Sequence, residues 1–369
     1  MCVGFLFLLP GCEGFGAPSP QRFDVRPNIA PAHCRLPIPD FSPSAEAPQV
    51  RLAGAAVEYL ATGTPYVDPG ATALDAEEGD VTTSLEVTGL SWLNVERPGD
   101  YWLAYSASDA EGHQDVPAAR IVRVGEPPAR LTRRTFAQTG AVLEYLEHLP
   151  VDYGKEPEAR YPLIVYFHGW GHSKDFGDST LGLMDDVSMA QVLRGDGWDE
   201  SQPFVVLLPQ QCWNGVASAE IHLEHAFIEW AQRVYRIDGN RIYIAGLSAG
   251  GWAAWEYVRL YPNEVAAAVP MAAGGRSDLA CGFKDVPIWG FHAEDDDVVP
   301  VNDMLTMIEA LDACNPPPAQ RPRLTVYASG GHVVDDETFD QSALGTGLPE
   351  YDAYDPDIFT WLLSHQRRR

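Results

Sequence analysis

The chain predicts a doubly wound, mostly parallel α/β sheet preceded by a small all-β sandwich. Three observations carry that expectation. From about residue 131 onward, short and nearly continuous apolar runs alternate with helical stretches, as parallel strands buried on both faces and covered by crossover helices require. From about 48 to 125 there are only short β-type runs broken by turn signals, with no helical periodicity of any length. Between a strand-like run and a helical one lies Gly246-Leu247-Ser248-Ala249-Gly250, whose glycines suit a tight strand-to-helix turn.

Length agrees with two modules, since 369 residues exceed what one hydrophobic core usually supports. Asp and Glu number 52 against 25 Lys and Arg, a formal net charge of −27. Such a surface favours solubility and repels phosphate backbones and anionic headgroups, which argues against nucleic acid as a partner. At the N-terminus, Val3 to Leu9 is apolar but too short to span a bilayer. It runs into Leu9-Pro10-Gly11-Cys12, which resembles a bacterial lipobox, although no Lys or Arg precedes it and Pro10 is unusual at its place. The resemblance implies a lipoprotein-type signal over residues 1–12, a lipid anchor on Cys12 and export to the cell envelope. Residues 13–47, rich in Pro, read as a tether.

Within 48–125, Tyr66-Val67-Asp68-Pro69-Gly70, Glu78-Gly79-Asp80 and Pro98-Gly99-Asp100 are turns, while Tyr101 to Tyr105 and Arg120 to Val124 are strand-like. A segment of this length and pattern predicts a small β-sandwich. Tyr66 to Asp75 and Pro98 to Gly112 resemble the Ig-like modules of bacterial surface proteins, which act as spacers or adhesive units. The acidic turn at Asp75, Glu77, Glu78 and Asp80, with Asp109, offers oxygen ligands of the kind Ca²⁺ takes. Ordinary solvated turns use the same residues, and no metal is expected.

From 131 to 369 the strand candidates are Leu163 to Phe167, Phe204 to Leu208, Arg241 to Ala245, Pro287 to Phe291 and Leu324 to Tyr327. Leu223, Phe227, Trp230, Ala231 and Val234 form one helical stripe. Further helices are expected over Gly251 to Tyr261, Asn302 to Ala313 and Asp357 to His365. Active sites in such sheets lie at the C-terminal ends of the strands. Apart from Cys2 and Cys12, the cysteines are Cys34, Cys212, Cys281 and Cys314. They fit no zinc spacing, and export would permit disulfides. Cys281 precedes a strand and Cys314 ends the helix after it, so an antiparallel return points to a Cys281–Cys314 bridge.

Ser248 is the candidate nucleophile, held clear of the sheet by the turn and set at a helix N-terminus. A serine hydroxyl needs a base, and behind such a turn the partners follow in the order Ser, acid, His. After Ser248 the histidines are His292, His332 and His365. His365 ends the terminal helix among Arg residues, where solvent suits it. His292 ends a strand just ahead of an acidic cluster. His332, in Ser329-Gly330-Gly331-His332 past the last strand, can swing back over the serine and is the expected base. The acid comes from Glu294-Asp295-Asp296-Asp297, where composition leaves the three aspartates open. The oxyanion needs two backbone N–H groups: that of Ala249, after the nucleophile, and one from His168-Gly169-Trp170-Gly171.

Tyr161 to Gly169, Leu208 to Cys212, Arg241 to Gly251, Asp285 to His292 through Val299-Pro300, and Trp361 to Ser364 resemble a branch of bacterial α/β-hydrolases. Its members are labelled predicted peptidases or phospholipase/carboxylesterase-like enzymes, with poly(3-hydroxybutyrate) depolymerase-type and feruloyl esterases as relatives. The resemblance covers about 131 to 366 and implies the α/β-hydrolase fold there. It implies an acid at the fifth position of H-G-x-x-D-x-x-V-P; aligning His292 and Val299-Pro300 puts it on Asp296. It also implies the Trp170 N–H as the second oxyanion donor. Ala293 stands where the family has Gly, so Asp295 and Asp297 stay open. Val333-Val334-Asp335-Asp336 replaces an aromatic-containing run, which puts the local substrate contacts in doubt. The function implied is an exported serine esterase that cleaves carboxylic esters, polyester or feruloyl-type substrates among them, without a cofactor. The rivals are a serine peptidase with the same machinery and a surface adhesion protein whose hydrolase domain is inactive. Trp170, Trp213 and Trp252 lie near strand ends or the elbow, placed equally for substrate contact or for ordinary packing.

Overall fold

Short β-rich runs build the first part of the chain: β1 (Gln49–Leu52), β2 (Val57–Leu60), β3 (Ala71–Asp75), β4 (Gly79–Asp80), β5 (Glu86–Thr88), β6 (Gly99–Ser106) and β7 (Ala118–Val124). They form a three-stranded sheet, β1-β3-β4, and a four-stranded sheet, β2-β7-β6-β5. Leu103, Tyr105, Val122 and Val124 fill the core of this sandwich. In this computed structural model the described residues are 47–367, apart from 55–56, 61, 98, 115–117, 125–130, 139–140, 154–158, 174–180, 196 and 212–217. The expected signal with Cys12, nearly all of the tether, Cys34, Cys212 and Trp213 lie outside them. Among the described residues no helix is long and apolar enough to cross a membrane. None of their His, Cys, Asp and Glu side chains group in threes that could hold a metal. In the acidic turn, Asp75 Oδ1 accepts the N–H groups of Glu77 and Glu78, both at 2.8 Å.

The second part is one eight-stranded sheet. Its elements in chain order are β8 (Thr132–Gln138), β9 (Ala141–His148), β10 (Tyr161–Phe167), α1 (Ser188–Arg194), β11 (Val205–Pro209), α2 (Ser218–Val234), β12 (Ile237–Leu247), α3 (Ala249–Leu260), β13 (Ala267–Met271), β14 (Trp289–Ala293), α4 (Val301–Asp312), β15 (Arg323–Tyr327), α5 (Asp335–Phe339) and α6 (Ile358–Leu363). The strand order is β15-β14-β13-β12-β10-β11-β9-β8. The six strands from β15 to β11 run parallel, and β9 and β8 close the far edge antiparallel. Side chains alternate across the sheet. Leu163, Val165 and Phe167 point to the face covered by α2, α3 and α4, while Ile164 and Tyr166 point to the face covered by α1 and α6. Both faces of β10 are therefore buried, which is why its sequence is apolar without a break.

From β10 the chain steps to β11 on one side and then to β12 on the other. The strand order thus reverses between β10 and β12, and open α/β sheets bind ligands beyond the C-terminal ends of the strands at such a point. Cys281 and Cys314 are disulfide-bonded, with Cα atoms 5.5 Å apart, the pair that the antiparallel return suggested. The strand β13 and the pair β8–β9 were not among the strands expected from the sequence.

The two parts meet along β7. Val122 and Val124 face the sandwich core, whereas Ile121, on the other face, belongs to the larger sheet's core. Beside it, Arg123 grips the buried Glu147 of β9 with both terminal nitrogens, at 2.6 and 2.7 Å. The Tyr235 hydroxyl and Arg134 Nε also donate to that carboxylate. Burial alone would raise the Glu147 pKa, but Arg123 and its companions hold it below the ordinary range.

Candidate active site

The end of β12 makes the turn that the glycine pattern announced. Ser248 sits between β12 and α3 at φ 56° and ψ −119°, a positive-φ conformation that costs a non-glycine residue about 1–3 kcal/mol. Its N–H donates to Met271 O and its carbonyl accepts from Trp252 N–H, both at 2.9 Å, so β13 and the first turn of α3 pin the strained residue. Space explains the glycines. A Cβ on Gly246 would lie 2.4 Å from Gly250 O and 2.8 Å from Phe167 O, and one on Gly250 would lie 1.9 Å from Phe167 O. The helix and the neighbouring strand thus exclude side chains at both flanks.

The base and the acid arrive on the loops after β15 and β14. Gly331, at φ 64°, lets the chain reverse before His332. His332 Nδ1 donates to Asp296 Oδ2 at 2.8 Å, since an ionised carboxylate can only accept. Asp296 Oδ1 accepts the N–H groups of Val298 and Val299, both at 2.9 Å. Of the aspartates left open by composition, Asp296 is the one on His332. Asp295 instead accepts Gly331 N–H at 2.8 Å, and Asp297 is exposed. His365 differs from its expected solvated place. It is buried, with Nδ1 2.7 Å from Trp361 O and Nε2 3.1 Å from Gln320 Oε1, because its ring folds back against Trp361, the centroids 4.5 Å apart.

On the opposite side, the loop after β10 touches the elbow: a Cβ at Gly169 would lie 3.9 Å from Ser248 Cβ. His168 fixes this loop. Its Nδ1–H donates to Gly169 O at 2.7 Å and its Nε2 accepts Gln211 N–H at 2.8 Å, which defines a neutral tautomer. Burial pushes its pKa down to about 4. In a trans peptide the carbonyl and the next N–H point opposite ways, so holding Gly169 O toward the imidazole turns the Trp170 N–H away from it. Ala249, the other expected donor, is the first residue of α3.

The tryptophans separate. The Trp170 side chain is 58% exposed. Trp252 is half-buried on α3, its ring 3.0 Å from where a Gly274 Cβ would stand, a packing role. Sequence reasoning named His168 and Asp335 only as members of their loops and gave neither a role of its own. The latter lies fully buried at the start of α5, taking hydrogen bonds from the Tyr166 hydroxyl and, at 3.0 Å, from Ser188 Oγ. Burial pushes its pKa up to about 6. His168-Gly169 at the end of a buried strand was the available signal for the first; for Asp335 the sequence held none.

Comparison with known proteins agrees with both halves. A family model described as "Bacterial surface protein, Ig-like domain" matches residues 50–124. A solved thermostable esterase superposes with a TM-score of 0.50 at 26% identity, over 72% of this chain and 73% of that one. The dipeptidyl peptidase 4 of Porphyromonas gingivalis gives 0.44 at 15% identity, over 72% of this chain and 43% of that one. A bifunctional acetylxylan esterase/xylanase of Neocallimastix patriciarum is 23% identical over 146 residues, 37% of this chain and 20% of that enzyme. The match thus spans a fifth of that relative's length. The chain joins a bacterial-surface Ig-like domain to a module with the α/β-hydrolase fold.

Proposed function

We propose that the chain is an exported serine esterase that cleaves carboxylic esters through Ser248, His332 and Asp296. The observation that carries this reading is a serine held at φ 56° on a strand-to-helix elbow, in a fold whose loops after β14 and β15 bear a hydrogen-bonded Asp296–His332 pair. Ser248 Oγ attacks the ester carbonyl while its proton passes to His332 Nε2, the ring nitrogen that the bond to Asp296 leaves bare. The N–H groups of Ala249 and Trp170 receive the oxyanion. The alcohol leaves with the proton from His332, and water then repeats the attack on the acyl-serine, releasing the acid and restoring Ser248. Asp296 stays ionised and stabilises the imidazolium. None of these steps calls for a cofactor.

Three exposed apolar side chains support a substrate with apolar groups next to the ester. Trp170, Val298 and Val333 are 58%, 63% and 47% exposed; Val298 N–H binds Asp296 and Val333 follows His332 in the chain. Polyester or aromatic acyl esters carry apolar groups of that kind. The Ig-like domain, of the bacterial surface type, supports export.

Hydrolysis of nitrophenyl and feruloyl esters, and of the matching anilides, by wild type and Ser248→Ala tests the reading. Loss of the nucleophile is expected to lower turnover on the order of 10⁶-fold, with esters cleaved faster than amides. Faster amide cleavage would make the protein a peptidase. Equal activity in both proteins would remove Ser248 from the chemistry.

A further inference from the structure

Asp296 carries a second imidazole. His292, the fourth residue of β14, is fully buried, and its Nε2 lies 3.1 Å from Asp296 Oδ2, the oxygen that receives His332 Nδ1–H. The same Nε2 is 2.9 Å from Val299 O. A carbonyl and an ionised carboxylate are both acceptors, so Nε2 bears the hydrogen and shares it between them. Nδ1 is then the bare lone pair, and it is buried with no hydrogen-bond partner. A proton there would be a buried charge facing nothing, so the ring stays neutral.

We infer that His292 is a positioning residue for the proposed serine-hydrolase site, fixing the Asp296 carboxylate against His332 and moderating its hold on that ring. Four donors surround this carboxylate: Val298 N–H and Val299 N–H on Oδ1, His332 and His292 on Oδ2. The two backbone donors leave the group free to pivot about Oδ1, and the buried ring behind Oδ2 closes that freedom. Each neutral donor also disperses the negative charge that His332 feels, so removing one strengthens the attraction between Asp296 and the imidazolium. The other titratable groups about the base are Asp295, which binds Gly331 N–H, and Glu337 of α5, whose Oε1 lies 2.9 Å from where a Gly330 Cβ would stand. Substitution of His292 changes neither.

This inference rests on the proposed function, yet its readout does not need turnover. In the full chain carrying ¹³C-labelled histidine, the His332 resonance is identified by its loss in His332→Gln and titrated by NMR. In His292→Phe, or in the smaller His292→Leu where the ring does not fit, the His332 midpoint is expected to rise by about one pH unit, the worth of one hydrogen bond. Ester kcat/KM is expected to fall about ten-fold as the carboxylate loses its alignment. His292→Gln, whose amide N–H can stand where Nε2 stood, should return both toward wild type. An unmoved or lowered midpoint in a folded Phe or Leu variant, or an equal shift in the Gln variant, overturns the role of His292. Absence of turnover in wild type overturns the hydrolase assignment instead, so the two readings fail separately.

Discussion

Replacing Asp296 by Asn changes one atom and takes the acceptor from both imidazoles that share Oδ2, His332 and His292. Two backbone N–H groups point at Oδ1 from 2.9 Å and need an acceptor, so the Asn carbonyl must stay on that side. Its NH₂ then faces His332 Nδ1, which sits 2.8 Å from Oδ2 in the native chain. An NH₂ group cannot accept, so the imidazole has to turn its lone pair to Nδ1 and carry its hydrogen on Nε2. That hydrogen occupies the position meant to receive the serine proton. A wrong tautomer of this kind lowers turnover about 10⁴-fold in a serine hydrolase, or about 5.4 kcal/mol of activation free energy. The assay is kcat on a nitrophenyl ester, corrected for folded protein by a thermal melt. The adjacent aspartates are built-in controls. Asn at 295 can still accept Gly331 N–H and should stay within about ten-fold, while exposed Asp297 should change little. Asp296→Asn within ten-fold of wild type, or a large loss in Asp297→Asn, would refute the assignment of the acid.

Glu147→Leu strips the buried Arg123 of its carboxylate, which should cost about 3–5 kcal/mol in urea unfolding of the full chain. Adding Arg123→Leu should recover most of that loss, and a cost below ~1 kcal/mol would mean the pair contributes little. Asp335 has the opposite sign of pH dependence from a paired surface carboxylate. The folded chain binds its proton more tightly, with a pKa near 6, than the unfolded chain does near 4. Its contribution to stability is therefore full below pH 4 and falls as pH rises through 6. Asp335→Asn should make the protein about 1–3 kcal/mol more stable at pH 7.5 and close to wild type at pH 4. A wild-type stability that is flat between those values would contradict the buried carboxyl.

What could be read from the sequence was whatever depends on near neighbours along the chain. The elbow was legible because strand, glycines and helix are contiguous, and the clashes that forbid a Cβ at Gly246 and Gly250 arise from the same tight turn. β10 and β11 were legible because burial on both faces leaves no polar residue to interrupt the run. β13, Ala-Ala-Val-Pro-Met, escaped notice because its small residues carry little apolar signal. It is a strand because β12 and β14 flank it. The choice among Asp295, Asp296 and Asp297 was opaque to composition for a simpler reason. Three identical side chains in a row differ only in where the turn aims them, and that aim is set by partners 36 residues away.

The same limit applies to Arg120 to Val124, which read as one strand of an independent sandwich. Alternation along β7 says otherwise. Val122 and Val124 fill the sandwich, but Ile121 belongs to the larger core and Arg123 spends its guanidinium on Glu147. A module hung on a flexible tether would leave those two side chains in water, where an isoleucine gains nothing and an arginine has no need of a buried carboxylate. Their burial requires that the Ig-like domain be seated on the hydrolase module. Any surface the domain engages would therefore meet the proposed active site at a set geometry, and shortening the chain to residues 131–369 would expose Glu147 and the apolar ground beneath Ile121.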